Sequence, residues 1–335
     1  MLLNALFFLA GSVLIYFGAE YFVKGAARIA RILKISPFII GVTFVAFGTS
    51  LPELVVSLSA YFKDATDIAV GNIVGSNISN IGLILGIAAI IAPLVVRPHI
   101  FKFDLPFNFG VGLLLMFVAF DGLISTIDSI ILLAGFIFFL VHYVRKALTQ
   151  SAAESEESAG YLPKLLPNIL ISLGGLAALW GGGELFLRAA IFFAHSFGVP
   201  EVVIGLSVVA IGTSLPELMT SIIAIRQKEV DIGVGNILGS NVFNVLFVLG
   251  VLGAVHPVEI LAPDELLGSV IIMLGFIIIL YPLLRSGFKL QRIEGALLLA
   301  AYVTYVAYLF LSATSGDGGA SVIEQNMQNI WNVKT

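Results

Sequence analysis

The chain has 335 residues, of which 59% are hydrophobic and 11% charged, and its mean hydropathy is +1.06. A soluble domain carries about 25% charged residues, so polar surface is too scarce here to cover a water-soluble core. A net charge of −4 with no basic run excludes nucleic acid as a partner, and zero cysteines exclude disulfides, thiolate metal sites and cysteine nucleophiles.

The composition is that of an all-α polytopic membrane protein. The first 25 residues, MLLNALFFLAGSVLIYFGAEYFVKG, lack a basic leader and a small-residue cleavage site, and read as a first span over 3–22. Charged and turn residues then mark spans at 36–60, 69–93, 104–120, 125–144, 165–187, 202–224, 232–254, 265–283 and 291–312, ten in all. The hydrophilic segment 147–163, with Glu154, Glu156 and Glu157, reads as a solvated linker between a first five-span half, 1–146, and a second, 164–312. The polar tail 313–335 is either disordered or a short interfacial helix with Ile323, Met327, Ile330 and Trp331 on one face.

With ten spans, one side of the membrane receives Lys24, Arg28, Arg31, Lys34, Arg97, Lys102, Arg145, Lys146, Lys164, Arg226, Lys228, Arg285, Lys289 and Arg292, and the other only Lys63, Arg188 and Lys334. The asymmetry predicts a multi-pass cell-membrane protein with both termini outside and 147–163 in the cytoplasm.

The two halves repeat each other. Gly41 to Ser57, GVTFVAFGTSLPELVVS, matches Gly205 to Ser221, GLSVVAIGTSLPELMTS, at 11 of 17 positions. Asp67 to Asn80, DIAVGNIVGSNISN, matches Asp231 to Asn244, DIGVGNILGSNVFN, at 10 of 14 positions and the same offset of 164 residues. Five spans per half force the second half to enter the membrane with opposite polarity. Inverted repeats meeting at the midplane are a transporter architecture; duplication for packing alone does not require the repeated charged and amide residues.

Glu53 is the only charge among the 28 residues between Lys34 and Lys63, and Glu217 the only one among the 24 between Glu201 and Arg226. A carboxylate at that depth costs about 2.5–3.5 kcal/mol or more unless it is protonated or paired. Neither span holds a Lys or Arg, so the counter-charge is a bound cation or a proton. Each Glu follows a proline, Pro52 or Pro216, that should break its helix and free carbonyls near Gly48 and Thr49, or Gly212 and Thr213. Asn72, Ser76 and Asn80 share one helical face, as do Asn236, Ser240 and Asn244. Asn77 and Asn241 lie one residue off it, where they could bond a neighbouring helix. Carboxylate, hydroxyl, amide and carbonyl oxygens without Cys or His suit Ca²⁺, Mg²⁺ or Na⁺ rather than zinc or copper. Glu20 with Lys24, and Glu184 with Arg188, are spaced for interfacial ion pairs, and His99, His142, His195 and His256 fall at span ends.

The paired Gly-Thr-Ser-Leu-Pro-Glu and Gly-Asn-x-x-Gly-Ser-Asn segments resemble the alpha repeats of the sodium/calcium exchanger branch of the calcium/cation antiporter superfamily. The resemblance covers both halves. It implies ten helices in two inverted five-helix repeats, exchanging Ca²⁺ for Na⁺ by alternating access, with a proton-coupled relative of the same fold as the alternative. Glu53 and Glu217 would be the central carboxylate ligands. Thr49, Ser50, Ser76, Thr213, Ser214 and Ser240 would add hydroxyl or backbone oxygens, as would the carbonyls of Ala46 and Ala210, with Asn80 and Asn244 flanking the centre. Several family members carry Asp where this chain has Asn244, so two carboxylates remain and the sodium stoichiometry is open. The large cytoplasmic insertion of animal exchangers is absent from the linker. The resemblance implies a carrier rather than an enzyme, with no cofactor, and with Ca²⁺, Na⁺ and the bilayer as its only partners. An intramembrane hydrolase using Glu53 and Glu217 as acid and base lacks an evident nucleophile or water-activating metal set.

Overall fold

The computed structural model describes residues 1–63, 65–153, 162–197, 210–260, 263–285 and 287–315. Its helices, in chain order, are α1 (Leu2–Ile32), α2 (Pro37–Tyr61), α3 (Thr66–Ile91), α4 (Ile100–Val118) and α5 (Thr126–Ala153) in the first half. The second half contains α6 (Leu162–Ser196), the two pieces Ala210–Thr213 and Leu215–Arg226 that together form α7, α8 (Val230–Val255), α9 (Pro263–Arg285) and α10 (Arg292–Ser315). Among the described residues, nine helices are long and apolar enough to cross a membrane. The start of the predicted seventh span, 202–209, the middle of the acidic segment, 154–161, and the proposed tail face at Ile323, Met327, Ile330 and Trp331 lie outside the described residues. Helix α5 continues to Ala153, past position 147, because Ala147, Leu148 and Gln150 favour a helix and no Gly or Pro intervenes.

The repeat is visible in the backbone. Both α2 and α7 break at a serine, Ser50 with φ −86° and ψ 1°, and Ser214 with φ −86° and ψ 4°. In each case the proline is the second residue of the following helix, where its missing N–H costs nothing. Helices α3 and α8 each widen into a π-helical stretch, Asn80–Leu85 and Phe243–Leu249, at equivalent positions. Such stretches insert a residue into the turn and re-aim the side chains that follow.

Four two-residue strands interrupt the all-helical plan. β1 (Leu94–Val95) pairs antiparallel with β4 (Lys289–Leu290), and β2 (Leu123–Ile124) with β3 (Val258–Glu259). Each pair joins a loop of one half to a loop of the other and satisfies backbone groups where the chain leaves its helices.

The first helices of the halves, α1 and α6, cross with little side chain between them. A methyl group on Gly18 would sit 2.5 Å from the Leu179 nitrogen, and one on Gly11 2.7 Å from that of Phe186. Glycine here permits backbone-to-backbone approach, and Ser172 Oγ adds a hydrogen bond of 3.0 Å to the Phe22 carbonyl. On the same helices, Arg188 Nε donates to Glu184 Oε1 at 2.6 Å, the expected ion pair. Glu20 and Lys24 do not pair. The Lys24 ammonium lies 5.9 Å from the Tyr21 ring centroid, and the Glu20 carbonyl accepts from Gln227 Nε2 at 3.3 Å. An aromatic face at the interface serves the flexible ammonium in place of the carboxylate.

Candidate functional site

The two helix breaks face the middles of α3 and α8, and every candidate hydroxyl and carboxyl side chain there is buried. Glu53 is 0% and Glu217 1% exposed, and Thr49, Ser50, Ser76, Asn80, Thr213, Ser214, Ser240 and Asn244 are all buried with them. Ala46 and Ala210 open the short helices Ala46–Thr49 and Ala210–Thr213 that lead into the breaks.

Hydrogen bonds hold this centre in a pattern that repeats across the halves. Thr49 Oγ1 donates to Asn236 Oδ1 at 2.9 Å, and its counterpart Thr213 Oγ1 to Asn72 Oδ1 at 3.5 Å. Asn72 Nδ2 donates to Ser57 Oγ at 3.1 Å, and Asn236 Nδ2 to Ser221 Oγ at 3.0 Å. Each serine passes the chain on to a carbonyl of the neighbouring helix, Ser57 to Ala69 and Ser221 to Gly233. Asn72 and Asn236 therefore spend their amides on positioning Thr213, Thr49 and the helix carrying each glutamate.

The off-face asparagines bond between the halves. Asn80 Nδ2 donates to Asn241 Oδ1 at 2.9 Å, Asn244 Nδ2 to Asn77 Oδ1 at 3.1 Å, and Asn77 Nδ2 to the Asn241 carbonyl at 3.1 Å. Asn80 and Asn244 thus turn their amide nitrogens toward the opposite repeat, and their oxygens remain without a donor.

What is left unsatisfied is almost entirely oxygen. Both carboxylate oxygens of Glu53, Oε2 of Glu217, Oγ of Ser214, Oδ1 of Asn80 and Oδ1 of Asn244 are buried without a hydrogen-bond partner. Glu217 Oε1 accepts from Ser50 Oγ at 3.3 Å, and Glu217 lies within electrostatic reach of Glu53. Buried acceptors normally find donors, and an unpaired buried charge costs several kcal/mol, so a proton or a bound cation would complete this cluster. Among the described residues no three His, Cys, Asp or Glu side chains converge, so the neutral oxygens carry much of the ligand set.

The freed carbonyl behaves differently from the expectation at Gly48. Pro52 leaves that carbonyl without its helical donor, and the indole Nε1 of Trp180 on α6 occupies it at 3.2 Å. The Gly48 carbonyl is therefore a tie between α2 and α6. The Ala46 carbonyl accepts from the Ser50 N–H at 3.0 Å; Thr49 Oγ1 lies 3.4 Å away but gives its hydrogen to Asn236, so one carbonyl lone pair stays free. Asn77 and Asn241 bond the neighbouring helix as their off-face positions allow, whereas the amide bonds of Asn80 and Asn244 across the halves are not expected from their phase, and no sequence signal singles out Trp180.

The two ends of the site differ. The first half of α2 is pressed onto α8: a methyl on Gly41 would lie 2.6 Å from the Ile232 carbonyl, and one on Gly239 2.5 Å from that of Val42. Arg97 pairs with Asp231 at 2.5 Å and Arg31 with Glu229, both at the start of α8. At the other end, Gly71 of α3 is exposed and Gly75 half-buried, whereas their counterparts Gly235 and Gly239 are buried. Among the described residues, the centre is closely packed toward the Arg97–Asp231 pair.

Comparison with known proteins agrees with this geometry. A family described as sodium/calcium exchanger protein matches residues 3–145 and 167–311. A putative antiporter, CaxA, of Alkalimonas amylolytica is 39% identical over 320 residues, covering 93% of this chain and 100% of its own. The sodium/calcium exchanger MaX1 of Methanosarcina acetivorans is 32% identical, covering 92% and 98%. The solved sodium/calcium exchanger from Methanococcus jannaschii superposes with a TM-score of 0.80 at 33% identity, covering 91% of this chain and 98% of its own.

Proposed function

Because the chain belongs to the sodium/calcium exchanger family, we propose that it exchanges Ca²⁺ for Na⁺ across a membrane by alternating access, binding both ions between Glu53 and Glu217. The observation that carries this reading is the cluster of buried, donorless oxygens on Glu53, Glu217, Ser214, Asn80 and Asn244. Oxygen ligands of mixed charge suit hard cations. In this reading Thr49, Ser50, Thr213, Ser76 and Ser240 complete the oxygen shell, and the carbonyls of Ala46 and Ala210 border it. Two carboxylates balance one Ca²⁺ or two Na⁺, so the same centre accepts either load in turn. The ions are substrates, and the carrier is neither an enzyme nor cofactor-dependent.

The proposed units are a first repeat, 1–146, and an inverted second repeat, 164–312, joined by the acidic segment 147–163 and followed by a polar tail, 313–335. The basic asymmetry supports both termini outside the cell membrane. With that orientation the closely packed end at Arg97 and Asp231 faces the cytoplasm. Cysteines introduced at Ser155 and Ser315 of the cysteine-free chain should label from opposite sides; labelling from one side contradicts the topology.

The deciding experiment is Ca²⁺ uptake into vesicles loaded with Na⁺. Uptake should follow the imposed Na⁺ gradient and vanish when choline replaces Na⁺. Uptake that ignores Na⁺ and follows a proton gradient would refute the sodium reading.

A further inference from the structure

Where α1 ends and α6 begins, the two helices leave a cleft of about 440 Å³ lined by Arg28, Arg31, Ile32, Lys164, Pro167 and Asn168. Arg28, Arg31 and Lys164 are exposed. Arg31 shares its guanidinium with Glu229 yet stays 63% exposed, so three cations face one carboxylate. Asn168 Nδ2 donates to the Lys164 carbonyl at 2.7 Å, which holds the amide against the first turn of α6 and keeps its Oδ1 buried. The cleft therefore offers cationic donors for a phosphate. Beside it, the flank of α6 exposes Leu166, Leu170 and Leu173, spaced to form an apolar track along the helix.

We propose that this cleft binds the headgroup of an anionic glycerophospholipid: Arg28, Arg31 and Lys164 hold the phosphate, and the acyl chains follow the leucines of α6. A free phosphate ion would use the cations but not the leucines. Basic side chains at a membrane surface attract anionic headgroups. The bound lipid would bridge the first helices of the two repeats at the cytoplasmic surface. Its sidedness rests on the orientation proposed above; the binding itself does not.

The test is titration of the purified full chain in detergent with phosphatidylglycerol, read by native mass spectrometry. Wild type should retain phosphatidylglycerol but not phosphatidylcholine, and millimolar inorganic phosphate should not displace it. At about a factor of five per basic residue, the double variant Arg28→Gln/Lys164→Gln should bind roughly thirtyfold more weakly. Arg188→Gln, which removes an exposed cation from the other end of α6, should bind as wild type. Na⁺-driven Ca²⁺ uptake by the double variant in phosphatidylcholine vesicles should be intact, reporting its fold independently of lipid affinity. Unchanged affinity in the double variant, an equal loss in Arg188→Gln, or displacement by inorganic phosphate would overturn the proposal. So would retention that appears only after Glu154, Glu156 and Glu157 are changed to Gln, since the acidic segment would then be the cleft's occupant.

Discussion

Replacing Glu53 by glutamine should move two measurements in opposite directions. Both oxygens of Glu53 are buried without a donor, and the residue is 0% exposed, so the ion-free protein carries a carboxyl group that nothing stabilises. Glutamine fills the same volume without the charge, and removing a lone buried carboxylate removes its desolvation cost. The melting temperature in Na⁺- and Ca²⁺-free buffer should therefore rise. Ca²⁺ binding should suffer, because one remaining carboxylate leaves a divalent ion half neutralised in a buried site. Breaking a buried charge pair costs about 3–5 kcal/mol, or roughly a hundred- to several-thousandfold in affinity. Glu217→Gln should lose Ca²⁺ to a similar extent but gain less ion-free stability, because Ser50 already satisfies one Glu217 oxygen. The assays are thermal unfolding in detergent and radioactive calcium uptake into Na⁺-loaded proteoliposomes over a range of Ca²⁺ concentrations. Glu53→Gln with Ca²⁺ affinity within tenfold of wild type, or with a lower ion-free melting temperature, would refute the reasoning.

Three further outcomes follow from particular contacts. Asn244→Asp sets an acceptor against Asn77 Oδ1, and Asn77 cannot flip without losing its bond to the Asn241 carbonyl. Only the protonated acid restores the donor, so proteoliposome exchange by this variant should depend on pH more steeply than wild type; superimposable pH profiles would remove Asn244 from the site. Gly239→Ala drives a methyl against the Val42 carbonyl and Ala46, and should cost about 1–3 kcal/mol in thermal stability, whereas Gly174→Ala, on the exposed flank of α6 with nothing within 4 Å among the described residues, should not. Trp180→Phe strands the Gly48 carbonyl at about 1–3 kcal/mol, and in a Trp331→Phe background the emission of Trp180 should shift on adding Ca²⁺ or Na⁺.

The parts of this molecule legible in the sequence are those in which one residue type has few physical options. Pro52 and Pro216 follow Thr-Ser-Leu and stand as the second residue of a new helix, and the backbone breaks at Ser50 and Ser214 beside them. Two glutamates with no basic residue in their spans mark the centre. The constant offset ties the halves together. The crossing amides were less legible, because an asparagine at a given helical phase can face a ligand or another helix, and Asn77, Asn80, Asn241 and Asn244 mix these uses. The π-helical stretches and the strand pairs depend on what the opposite half presents, which no local pattern encodes. Lys24 passed over Glu20 for an aromatic ring one turn of chain away, a choice between two favourable neighbours of similar strength.

The bond between Ser50 and Glu217, set against the donorless Glu53, gives the protein an internal mirror image that has not been reached. If the halves exchange roles, moving each contact 164 positions along the chain gives the contacts expected of an opposite-facing conformer: Ser214 would donate to Glu53, Ser50 would release Glu217, and the phenol of Tyr16 would take the place that the indole of Trp180 has here. Positions identical in both halves contribute equally to the two conformers and cancel. The free-energy difference between facing outward and facing inward must then reside in unlike pairs such as Trp180 with Tyr16 and Phe243 with Ser79. Making such a pair alike should shift the balance between the two populations while leaving Glu53 and Glu217 untouched.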